Sequence, residues 1–253
     1  ALPIYFKMPQ VWRSNVNAEF QLPYGFMLSV GAMYTRDIYN VVQKNMNEKA
    51  PSGTYNEQPG RVYWTKNNYY DNPKTKTVIQ LTNGDEKGYQ YSFNAVLTKK
   101  FDFGFTGSFG YTYTMAKDMT ANPGSSAASV WQNNVAVNSL NDPGVSYSLF
   151  STPHRLIANA SYEVAYANMK TTVSLFYTGY QQGRFSYTYS NDMNGDGNYS
   201  DLMYVPASKE EMTFVDIKDK QNNVTYSAVD QQEDFWNYVN NDSYLNDHKG
   251  QYV

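Results

Sequence analysis

From Tyr89 to Met115 the chain alternates. Odd positions carry Tyr89, Tyr91, Phe93, Ala95, Leu97, then Phe101, Phe103, Phe105, Phe109, Tyr111, Tyr113 and Met115. Even positions carry Gln90, Ser92, Asn94, Thr98, Asp102, Thr106, Ser108, Thr112 and Thr114. A period of two that continues through a break near Lys99 to Asp102 predicts an antiparallel hairpin with one aromatic face and one small polar face. Two further segments follow the same plan. Trp12, Ser14, Val16, Ala18, Phe20 and Leu22 lead into Pro23-Tyr24-Gly25, and Phe26, Leu28, Val30, Ala32 and Tyr34 lead out of it. Leu156, Ala158, Ala160, Tyr162, Val164 and Tyr166 precede a turn near Ala167 and Asn168, followed by Met169, Thr171, Val173, Leu175 and Tyr177.

The expected fold is therefore all-β, with about six long strands arranged as three hairpins at about 11–45, 87–116 and 153–190. The turns inside the hairpins are short. The joining stretches, about 46–86, 117–152 and 191–253, are long and rich in Asn, Asp, Gly, Ser and Pro. Compact soluble domains rarely carry several such loops, whereas outer-membrane barrels place short turns on one side and long extracellular loops on the other. The rival fold is a soluble β-sandwich or barrel-like binding protein with one strand face in a dry core. Strand length argues against it: 26–42 and 103–115 exceed the ~5–6 residues of ordinary strands and meet the ~9–11 needed to cross a tilted membrane. The reading is an antiparallel transmembrane β-barrel segment, one part of a single barrel domain.

Composition strengthens that reading. Tyr accounts for 25 of 253 residues and aromatics for 17%, and Tyr and Trp suit both pleated strands and the membrane boundary. Lys and Arg number 20 against 23 acidic residues, a net charge of -3 mixed along the chain. That mixture gives no basic stripe for nucleic acid. Cysteine is absent, so no disulfide holds the fold, and a closed hydrogen-bonded sheet is one alternative. No apolar run approaches the ~18 residues of a spanning helix, and a barrel needs none.

About six strands fall short of the ~8 of the smallest single-chain barrels, and open edges are costly in lipid. The last long strand is expected to rise to about Tyr189 with nothing returning after it, so the chain reads as a C-terminally truncated piece of a larger barrel.

Several motifs resemble a known family. Tyr111 to Asp118 (YTYTMAKD), Asn122 to Ser125 (NPGS), Asn141 to Pro143 (NDP) and Thr152 to Arg155 (TPHR) are similar to the barrel region of TonB-dependent receptors that bear an N-terminal carboxypeptidase-regulatory-like domain. Tyr187 to Ser190, Asp192 to Gly197, Asp201 to Pro206, Phe235-Trp236, Tyr244-Leu245 and His248 to Gly250 extend the resemblance over most of the chain. It implies an outer-membrane location, a barrel of about 22 strands around a plug, and import of a bulky solute with energy delivered by TonB. The plug and the TonB-contacting segment are expected in sequence beyond these residues. A cell-surface binding protein or adhesin for glycan or protein is the runner-up.

The sharpest local motif is Asp192-x-Asn194-x-Asp196-Gly197, followed by Asn198 and Asp201. Alternating oxygen donors and a turn-permitting Gly match the first half of a calcium loop. Met203 stands where such loops carry a bidentate Glu, so Asp201 is expected to compensate. The plain alternative is an Asx-rich turn. Tyr63, Trp64, Tyr69, Tyr70 and Trp131 in the loops are candidates for stacking on sugar or peptide, against packing inside the loops. A helix is expected after Ser227, with Asp230 three residues on and Val229, Phe235, Trp236 and Val239 on one face. His154 and His248 have no recognisable partners, and neither a phosphate-cradling loop nor a Gly-x-Ser-x-Gly elbow is present. The chain is not expected to be an enzyme.

Overall fold

The computed structural model describes residues 3–65, 69–70 and 77–253. Six long strands form: β1 (Gln10–Leu22), β2 (Phe26–Tyr39), β3 (Tyr89–Lys100), β4 (Phe105–Asp118), β5 (His154–Tyr166) and β6 (Met169–Tyr180). They pair antiparallel in the order β1-β2-β3-β4-β5-β6, and the short strand Ser146–Tyr147 adds to β4. The sheet is a meander open at β1 and β6, and none of the sheets among the described residues is closed.

The register carries the alternation across the whole sheet. Val16 lies opposite Ala32, Ala32 opposite Phe93, Phe93 opposite Tyr113 and Tyr113 opposite His154. Directly paired residues share a face, so the apolar positions form one continuous surface. On the other face Asn17, Gly31, Asn94, Thr112, Arg155 and Tyr180 make an equally continuous row, polar except at Gly31. Gly31 is glycine because the amides of Asn17 and Asn94 close over it and fill the place of a Cβ.

Turn chemistry fixes that register. Between β5 and β6, Ala167 and Asn168 both have positive φ, 45° and 65°. This two-residue geometry matches the twist of the flanking strands, although only Asn tolerates it well. Between β1 and β2, Pro23 sets the first φ while Tyr24 and Gly25 take φ of 63° and 73°. The β3–β4 turn spans 101–104 rather than Lys99 to Asp102. Gly104 closes it at φ 91°, pressed against the Glu163 carbonyl of β5.

Nothing among the described residues covers the apolar face. Phe93 is 54% exposed and Leu175 72%. No second sheet packs on it, so the dry core of a sandwich is absent from the described residues. The buried apolar residues all lie outside the six long strands. Trp131, Ala136 and Leu140 make one core with Ile79, and Met203, Val205, Val239, Leu245 and Val253 make another with Tyr187, Tyr189 and Phe235. Both cores belong to the joining segments, which gather at one end of the sheet while the tight turns occupy the other.

Two strand ends differ from expectation. β2 stops at Tyr39 instead of continuing to Val42, because Asn40 bonds the Glu86 carbonyl and receives the Gly84 amide, turning the chain into the loop layer. There Val42–Asn45 pairs with Ile79–Thr82. β6 stops at Tyr180 rather than near Tyr189. The amides of Met203 and Tyr189 bond to Tyr187 and Asp201 respectively, drawing 187–189 into the loops.

Among the described residues α-helices appear only in the loop layer: α1 (Ala127–Gln132), α2 (Ala228–Asn241) and α3 (Ser243–Asp247). Ser227 caps α2 as expected, accepting the Asp230 amide. The expected single helix is joined by α1 and α3, each too short to show a hydrophobic period and each started by a local cap, Ser126 and Asp242. No helix among the described residues is long and apolar enough to cross a membrane.

Candidate functional site

The Asp192–Asp201 segment folds as a run of Asx turns. Asp192 accepts the Gly195 amide on Oδ1 at 2.7 Å and the Gly197 amide on Oδ2 at 2.8 Å. Asn194 Oδ1 accepts the Asp196 amide at 2.9 Å, and Asp196 Oδ1 accepts the Asn198 amide at 2.7 Å. Side chains that capture amides two to five residues ahead replace any sheet or helix ladder here. Gly195 and Gly197 hold φ of 79° and 90°. A Cβ on Gly195 would run into the Trp64 carbonyl, because the first loop lies directly against the segment with the Trp64 amide donating to the Asn194 carbonyl at 2.7 Å.

The first loop contributes the charge that the motif lacks. Arg61 is fully buried; its Nη1 lies 3.3 Å from Asp201 Oδ1, and its Nη2 donates to the Leu202 carbonyl. The rings of Tyr189 and Tyr252 flank its guanidinium at 5.6 and 5.0 Å. Such a cation, desolvated between aromatic faces and a carboxylate, is costly to bury and costly to orphan. The Tyr252 hydroxyl donates to the Pro59 carbonyl, so residues 193 apart in sequence meet at this point.

Carboxylates gather around the same place. Burial pushes Asp196 up to about 6, against the amide of Asn198 that lowers it and the neighbouring charges of Asp201 and Asp192 that raise it further. Asp201 is also raised by burial, opposed first by the Met193 amide and then by Arg61. Glu48, from the first loop, is pushed up to about 7 by burial, with the Ser139 hydroxyl lowering it and Asp196 raising it. Nothing in the sequence marks Glu48 or Arg61 as neighbours of the motif, since each is an isolated charge in a polar tract.

The cation fit is mixed. Positive φ at Gly195 and Gly197 and alternating oxygen donors suit a hard cation. The carboxylates, however, face amides and Arg61, and among the described residues no three His, Cys, Asp or Glu side chains group as a metal site.

The loop aromatics do not assemble into one binding face. Trp131 has no exposure, and its Nε1 donates to Asn141 Oδ1 at 3.0 Å. Trp64 is 7% exposed and donates to the Lys49 carbonyl at 2.8 Å. Both rings are buried in the loop layer, the packing alternative to the stacking role expected of them. Tyr63 is half-buried with its ring centroid 5.2 Å from that of Tyr55. Tyr69 donates its hydroxyl to the Asp196 carbonyl at 3.2 Å, tying loop to motif. Tyr70 alone of the five is exposed, at 70%. His154 sits at the apolar-face end of β5, its Nδ1 2.6 Å from the Tyr111 hydroxyl.

No protein-family model matches the chain, and neither a curated protein nor a solved structure is significantly similar to it.

Proposed function

We propose that this chain is part of the wall of a Gram-negative outer-membrane β-barrel, and that the barrel belongs to a TonB-dependent receptor that imports a bulky solute. The observation that carries the reading is the uncovered apolar face: a six-strand meander on which Val16, Phe93, Phe109, Val173 and Leu175 stand exposed. An apolar surface of that extent is expensive in water and ordinary in lipid. The opposite face, lined with Asn, Ser, Thr and Gly, suits a hydrated or plugged lumen. Strands outside these residues pair with β1 and β6, because an open edge is not tolerated in the bilayer core. The plug and the contact with TonB belong to the rest of the protein.

In this reading the joining segments lie outside the cell and the tight turns inside. The loop layer has its own cores, so it presents a folded surface to an incoming solute. That same observation favours the second reading, a surface binding protein or adhesin, and solute uptake by cells carrying the intact protein separates the two. Calcium is proposed for the Asp192–Asp201 loop, with Asp192, Asn194, Asp196 and Asn198 as first donors, because Asp192, Asp201 and Glu48 lie close enough to Asp196 to act on its charge while Arg61 pairs with Asp201 alone among them. No catalytic role is proposed.

The deciding experiment is extraction and electrophoresis of the intact protein. A barrel requires detergent and migrates faster unheated than boiled. Recovery as a detergent-free soluble monomer with a single band would overturn the reading.

A further inference from the structure

One register row on the apolar face, at the loop ends of the strands, alternates aromatic and cationic side chains. Trp12 of β1 pairs with Arg36 of β2, Arg36 with Tyr89 of β3, Tyr89 with Lys117 of β4, and Lys117 with Tyr147 of the short strand Ser146–Tyr147. Beyond the strands Arg184 completes the row. Its guanidinium carbon lies 3.7 Å from the Tyr147 ring centroid, and the Lys117 ammonium lies 4.7 Å from that centroid. Two cations thus share one ring, a contact that orients them without neutralising them.

Among the described residues none of the three cations has a carboxylate partner. Asp37 and Asp118, which follow Arg36 and Lys117 in sequence, point to the opposite face by alternation. The Glu86 carboxylate is engaged by the Val145 amide at 2.9 Å. Closer to the hairpin turns on the same face stand Tyr34, Tyr91, Tyr113 and His154, with ring contacts of 6.3 Å between Tyr91 and Tyr113 and 5.3 Å between Tyr113 and His154. Aromatic rows of this kind mark the boundary between hydrocarbon and head groups. Cations just beyond such a row lie at the depth of lipid phosphates. Arg36 and Lys117 stand two strand spacings apart, ~10 Å, a gap that two long side chains close on one anion.

We propose that Arg36, Lys117 and Arg184 form an outward-facing site for the phosphate of an anionic membrane lipid, with Tyr89 and Tyr147 as the seat of its head group. The inference rests on the barrel reading, which makes this face the lipid-contacting one. It adds a specific lipid ligand on the outer wall, separate from any solute path through the lumen.

The test is native mass spectrometry of the intact protein in detergent, titrated with phosphatidylglycerol and, separately, with zwitterionic phosphatidylcholine. The parent is expected to bind phosphatidylglycerol about tenfold tighter or more. A triple Arg36→Gln, Lys117→Gln, Arg184→Gln variant is expected to lose that preference, and Arg36→Lys with Arg184→Lys to keep most of it. No preference in the parent, an unchanged preference in the triple variant, or displacement of the lipid by inorganic phosphate alone would each overturn the proposal. Heat-modifiable migration of the same samples keeps the two readings apart. If it persists while lipid preference is absent, only the lipid site fails; if it is absent in the parent, the barrel reading fails.

Discussion

The sheet and the loop layer of this protein follow opposite burial rules. In the six long strands large apolar side chains are exposed, and the buried positions are Gly31 and Ser92. In the loops Trp131, Leu140, Val205, Val239 and Leu245 are sealed from solvent, and even Arg61 is fully buried. A soluble domain would show the reverse, a strand core under polar loops. The difference teaches that the two regions bury differently: the strands leave one apolar face uncovered, as the proposed barrel wall would, while the loops close around cores of their own. Loops of ordinary proteins borrow stability from the elements they join. These carry small hydrophobic cores, short helices and a buried ion pair, and so fold as a layer.

The comparison breaks most sharply at Arg61. Arg61→Met leaves Asp201 buried without its partner, and the loop layer is expected to lose about 3–5 kcal/mol while the strands are untouched. Limited proteolysis should then cut the loops while the strand region of the intact protein still resists, and loss of the strands themselves would show that the regions are not separable. Leu175→Arg tests the other side. Placed on the apolar face it is expected to cost about 2–4 kcal/mol in lipid, whereas Ser174→Arg, its neighbour on the polar face, should cost little. Equal costs in urea unfolding from lipid vesicles would deny the two-faced wall.

Acidity sharpens the contrast, because the buried carboxylates with the largest upward shifts are in the loops. Glu48 and Asp196 are held near 7 and 6, above their ordinary 4.5 and 3.8, so the folded loops favour the protonated forms. Stability from these groups is full at acid pH and falls as pH rises, from the unfolded values until both folded groups have ionised. The two shifts set an upper bound of about 3 kcal/mol for each group, of which solvent screening leaves only a part, and the loss is complete by about pH 8. Glu48→Gln with Asp196→Asn should flatten the thermal-shift profile. Calcium added at about pH 8 is expected to recover part of the loss by taking the ionised carboxylates. A chelator should reverse the gain and Asp196→Ala abolish it, and a parent indifferent to calcium would end the metal proposal. The smallest effect is at the α2 cap: Ser227→Ala is expected to cost about 1 kcal/mol, seen as faster hydrogen exchange confined to 228–241.

How far the sequence could be read differs between the same two regions. The two faces of the hairpins were legible because a period of two has only two phases, and the side that carries Phe93, Phe105 and Leu175 is plainly apolar, whereas the β3–β4 turn was placed two residues early. Ser227 was legible as a cap because the signal lies within three residues. The Asp192-to-Gly197 motif was legible as a turn for the same reason. Trp131 was not legible as a core residue, nor Glu48 and Arg61 as neighbours of Asp196 and Asp201. Their partners lie in other loops, and aperiodic polar tracts carry no phase from which a contact can be inferred. The ends of β2 and β6 were overestimated because alternation continued past Tyr39 and Tyr180 after the backbone had already turned to bond the loops.

The sequence by itself determined the six long strands, their two faces and the turns at Pro23–Gly25 and at Ala167 and Asn168, since alternation and local turn chemistry act over a few residues and need no distant partner. Only the tertiary structure decided that the three loops form one layer, that Arg61 closes it against Asp201, and that Arg36, Lys117 and Arg184 line up along one face at the loop end of the sheet. Those arrangements depend on which segments meet in space, and pairing between segments distant in the chain leaves no pattern in either segment alone.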